Sequence, residues 1–107
     1  MQDSIEAKLK KLSERLLGIE KQLIEESSTL SQDDLISLNK EFSHIQPIVN
    51  LYSKYLKVLD ENTQAISLSK SDENEIQELA QTEIQETENL MNEILGELKL
   101  MLLPVDE

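Results

Sequence analysis

The sequence predicts an all-α fold: an elongated antiparallel three-helix bundle, or coiled-coil hairpin, forming one domain over residues 1–107. Three observations predict it. Apolar residues recur at alternating spacings of three and four along three long stretches, the period of a helix seam and not of a strand. Only two Gly and two Pro occur in 107 residues. Usual frequencies are roughly 7% and 5%, so a sheet fold would lack its turn residues. The two breaks in the period are short and Ser-rich, and short turns join antiparallel neighbours. A chain of this length buries roughly two-thirds of its unfolded surface, enough to fold without metal or disulfide.

The spacing predicts a first helix over about 4–26. Asp3 and Glu6 fit a capping box, in which each side chain satisfies an orphan amide of the first turn. The seam is Ile5, Leu9, Leu12, Leu16, Ile19 and Leu23, widened by Leu17 and Ile24. Gly18 lies inside it, which predicts close helix packing at that point. Ser27-Ser28-Thr29-Leu30-Ser31 ends the period, and Ser31 with Asp34 resembles a second capping box.

A second helix is predicted over about 32–67. Its seam is Leu35, Leu38, Phe42, Ile45, Val49, Tyr52, Leu56, Leu59, Thr63 and Ile66. Pro47 removes one helical hydrogen bond, and a kink is expected near Ser43 to Gln46. The phase continues past the proline, so a kink is expected and not a break. A second stripe then begins: Ile48, Leu51, Tyr55 and Val58. It places that half of the helix either between both other helices or against another domain.

Ser67-Leu68-Ser69-Lys70-Ser71 is the second turn, and Asp72 with Glu75 is expected to cap a third helix over about 72–102. Its seam is Ile76, Ala80, Ile84, Thr87, Met91, Ile94, Leu98 and Met101. Leu98-Lys99-Leu100-Met101-Leu102-Leu103 is apolar on every side, which predicts burial in the bundle or against a following domain.

Composition excludes many activities. With no Cys there is no disulfide, thiolate metal site or cysteine nucleophile. His44 is the one histidine, so a two-His metal motif is impossible, although a Ser-His-Asp triad is formally possible. Glu41-Phe42-Ser43-His44 matches Glu-x-x-His, but a helical di-iron site needs two copies. His44 is therefore expected at the boundary of the seam. No calcium loop is present, and the shortage of glycine excludes a phosphate-cradling loop. Paired carboxylates need a cleft to part their pKa values, which three narrow helices rarely form. No catalytic, cofactor-binding or metal residue is assigned, and the chain is not expected to be an enzyme.

Net charge is −12. Residues 1–60 carry 8 basic and 10 acidic groups; residues 61–107 carry 2 and 12. Bulk attraction to nucleic acid or anionic membrane is opposed, and basic partners are favoured. Lys8, Lys10, Lys11 and Arg15 form a small basic patch on helix one, to pair with nearby Glu or to meet phosphate. No apolar run reaches transmembrane length, and no signal peptide is seen, so a cytoplasmic setting is expected.

Three segments, in order, carry a resemblance. Ser4-Ile5 with Lys8-Leu9, Leu12 and Arg15 resembles the opening of the bacterial peptide chain release factor 1 family. Glu41-Phe42-Ser43, Ile45, Pro47-Ile48-Val49 and Tyr52 are similar to its second helix. Leu100-Met101-Leu102-Leu103-Pro104-Val105-Asp106 resembles the close of its N-terminal domain, with Val105 where the family often has Lys. The opening favours this family over its UGA-reading paralogue. The resemblance implies a non-catalytic N-terminal domain of a class-I factor. Factors of this first type bind the ribosome at UAA or UAG and direct peptidyl-tRNA hydrolysis. The Pro-x-Thr codon-reading tripeptide and the Gly-Gly-Gln loop belong to later domains, and neither occurs here. Implied partners are the GTPase-associated centre of the large ribosomal subunit, the class-II GTPase factor indirectly, and further domains after Glu107. No membrane partner and no sequence-specific nucleic-acid contact by this domain is implied, and no binding residue carries over. The alternative is a free-standing acidic coiled-coil adaptor that binds a basic protein or self-associates through its seams.

Overall fold

The computed structural model describes residues 1–104. Val105 and Asp106 of the closing motif lie outside the described residues. Three helices follow in order: α1 (Asp3–Glu25), α2 (Gln32–Leu68) and α3 (Asn74–Met101). No strand occurs among the described residues. Each expected boundary falls within two residues of the observed one. Two compact units, Met1–Asn50 and Leu51–Glu107, divide the chain inside α2.

The first unit pairs α1 with the start of α2. Leu16, Ile19, Leu38 and Ile45 are buried together, with Leu12, Leu23, Leu30, Phe42 and Val49 half-buried against them. Apart from Leu30, which comes from the turn, these are the expected seam residues of both helices, running antiparallel about the turn. Leu17 and Ile24 do not widen the seam; they are 66% and 80% exposed. Gly18 also departs from expectation. A Cβ built there meets nothing within 4 Å, so close packing is not its reason.

Capping differs in detail. α1 begins one residue early, with Gln2 as N-cap and no side-chain cap. Asp3 is already helical, so its carboxylate faces the positive helix end without serving as the cap. The Gln2 carbonyl instead accepts from the Ile5 and Glu6 amides at 3.1 and 3.0 Å. At α2 the expected cap forms: the Asp34 amide donates to Ser31 Oγ at 3.1 Å. At α3 the N-cap is Glu73, not Asp72, and again no side chain caps it. Ser71 does the local work, its Oγ accepting from the Glu73 amide at 3.2 Å and its carbonyl from Gln77 Nε2.

α2 runs uninterrupted through Pro47, which is exposed. Ser43, whose carbonyl the proline leaves without its helical donor, is exposed as well, so the missing bond need not end the helix.

The second unit pairs the end of α2 with α3. The α3 seam is as expected: Ala80, Thr87, Ile94 and Leu98 are buried, and Ile76, Ile84, Met91 and Met101 half-buried. On α2 the first expected stripe stays in the core through Tyr52 and then gives way to the second, of which Tyr55 and Val58 are buried. Leu56, Leu59 and Ile66 are exposed, and so is Thr63. The buried line is Tyr52, Tyr55, Val58, Asn62 and Ala65. Beyond Val58 the leucine and isoleucine of the first stripe read more strongly, while polar Asn62 and small Ala65 conceal the continuation of the second. The apolar end of α3 is divided: Leu98 is fully buried, whereas Leu100 and Leu103 are exposed.

Candidate functional site

The residues singled out from sequence are not brought together into a reaction centre. His44 is exposed. Among the described residues no group of three or more His, Asp or Glu side chains could hold a metal ion. None of their helices is long and apolar enough to cross a membrane.

The basic patch is partly spent on ion pairs. Lys10 Nζ lies 3.4 Å from Glu6 Oε1, one helical turn away. Arg15 reaches across to α2, where its Nε donates to Glu41 Oε2 and its Nη2 to Glu41 Oε1, the latter at 2.9 Å. A two-point fork fixes direction as well as distance. The hydrogen bonds from Arg15 hold the Glu41 carboxyl below the ordinary glutamate value, and those bonds raise Arg15 in turn. Lys8 and Lys11 remain exposed. The Glu41 partner was not legible in the sequence, because it needs the register of α1 on α2.

Polar chemistry also enters the core of the second unit. Asn62 Nδ2 donates to Thr87 Oγ1 at 2.9 Å, with both residues buried. The Thr87 hydroxyl lies 2.8 Å from the Glu83 carbonyl and 3.0 Å from that of Ile84, so its own proton also has an acceptor. Both side chains of this buried pair have hydrogen-bond partners.

An apolar concavity lies at the turn end of the same unit. A cleft of about 620 Å³ is lined by Ala65, Leu68, Ile76, Leu79 and Ala80, with Glu61, Gln64 and Glu83 at its edges. Its floor is small because Ala65 and Ala80 are both alanine. Leu68 and Leu79 stand 56% and 72% exposed on its walls. Both leucines fall out of seam phase, one at the end of α2 and one near the start of α3.

These faces define a helical domain that presents an inter-helix ion pair and an apolar cleft at its surface. The chain belongs to the PCRF domain family, which matches residues 12–107. Over 100 residues it is 35% identical to peptide chain release factor 1 of Chloroherpeton thalassium (strain ATCC 35110 / GB-78). That alignment covers 92% of this chain and 28% of the relative, so the chain spans less than a third of that protein's length. No solved structure matches the chain.

Proposed function

We propose that this chain serves translation termination as a non-catalytic, N-terminal helical domain of a class-I peptide chain release factor. The observation that carries the reading is the family match over residues 12–107, joined to 35% identity with a release factor along 92% of the chain. Stop-codon reading and peptidyl-tRNA hydrolysis fall to other domains, since neither a Pro-x-Thr nor a Gly-Gly-Gln occurs in the sequence. The partner is the ribosome in a cytoplasmic setting, at the GTPase-associated centre of the large subunit. The class-II GTPase factor is reached through that assembly. The acidic-adaptor alternative is disfavoured by the same match.

A domain exchange tests the reading. This chain replaces the matching segment of the Chloroherpeton factor, and release of peptide at UAA and UAG is measured on termination complexes. The chimera is expected to release peptide, and the chain alone none. A helical, soluble chimera that fails to bind ribosomes would refute the assignment. Codon-dependent release by the chain alone would equally refute the non-catalytic role.

A further inference from the structure

We propose that the cleft between the end of α2 and the start of α3 is a docking groove for a basic amphipathic protein segment. Its lining is apolar where a side chain would seat: Ala65 and Ala80 form the floor, and Leu68 and Leu79 stand exposed at the walls. Its volume of about 620 Å³ is in the range that accepts anchoring side chains. Carboxylates mark the edges. Glu61 and Glu83 flank the apolar lining, and the ion pairs among the described residues are Lys10–Glu6 and Arg15–Glu41, both outside this unit. Residues 61–107 carry 12 acidic and 2 basic groups.

Charge selects the occupant. A second copy docking through the same groove in a two-fold contact would set Glu61 and Glu83 against their own equivalents, which costs electrostatically. Nucleic acid and anionic lipid are repelled for the same reason. A helix with apolar residues at i, i+3 or i+4 and Lys or Arg beside them would fill the floor and meet the rim glutamates. The groove's chemistry stands independently of the ribosomal reading.

The test uses the 107-residue chain, isotope-labelled, with a fluorescent helical peptide bearing two leucine anchors flanked by lysines. Saturable binding is expected, with backbone shifts concentrated at Ala65, Leu68, Ile76 and Ala80. Leu79→Ser, on an exposed side chain that leaves the helical spectrum unchanged, should weaken binding at least tenfold. Glu61→Gln with Glu83→Gln should weaken it several-fold and flatten its salt dependence. A peptide with glutamates in place of its lysines should not bind. Three results would overturn the proposal: equal binding of a peptide whose apolar positions are scrambled, shifts that avoid the cleft, or self-association of the chain through these residues.

Discussion

Asn62 on α2 donates to the hydroxyl of Thr87 on α3 at 2.9 Å, inside the core of the second unit. Thr87→Val keeps the shape of the side chain but leaves the buried Asn62 amide without its acceptor. The loss is expected to be about 1–3 kcal/mol, since a stranded buried donor costs more than the bond itself contributed. Adding Asn62→Leu should restore much of it, because no polar group then remains to satisfy. Urea unfolding of the two single variants and the double variant measures the coupling; simple additivity would show that the pair is not acting as one.

The Arg15–Glu41 fork gives a titration with a definite sign. Glu41 is held below the ordinary glutamate value, chiefly by the Arg15 hydrogen bonds. In the unfolded chain it titrates at the ordinary value. The pair therefore stabilises the fold above that ordinary value, and its contribution fades as pH falls through the lowered one. Both side chains are substantially exposed, so the effect on stability is small and screened by salt. Followed by NMR, the Glu41 carboxyl should have a lower midpoint than in an Arg15→Gln variant. An unchanged midpoint in that variant would remove the fork as the cause.

Gly18 and Gly96 are helical, exposed, without positive φ, and a Cβ at either meets nothing within 4 Å. Replacing each by Ala should stabilise the protein by about 1 kcal/mol, by reducing the freedom of the unfolded chain. The melting midpoint should rise by about 4–8 °C for each. A fall at Gly18 would mean that the backbone there is held by something other than helix geometry.

The three helices were legible because heptad spacing and the scarcity of Gly and Pro point the same way. Capping was legible only where the geometry was unambiguous. Ser31 caps α2 as its position suggests, but Asp3 and Asp72 sit one residue off the N-cap at which a carboxylate would close the box. The cleft was not legible, because Leu68 reads as part of a Ser-rich turn and Leu79 as an outlier of the α3 seam. Only folding brings both into the lining of one cleft.

The second half of α2 offers the sharpest test, because two stripes compete there. Apolar spacing favours Leu56, Leu59 and Ile66, yet these are 43%, 38% and 42% exposed. Tyr55 and Val58, on the other stripe, are only 5% and 4% exposed, and the line continues through Asn62 and Ala65. Burial follows the stripe that includes Asn62, since Thr87 supplies the acceptor that makes an amide tolerable there. Val58→Ala should then cost about 2 kcal/mol, close to the full burial of a valine. Ile66→Ala removes more carbon but from a site already wet, and should cost about 1 kcal/mol. Chemical denaturation of the two variants ranks them. The reverse order would mean that the leucine–isoleucine seam is the line that α3 covers.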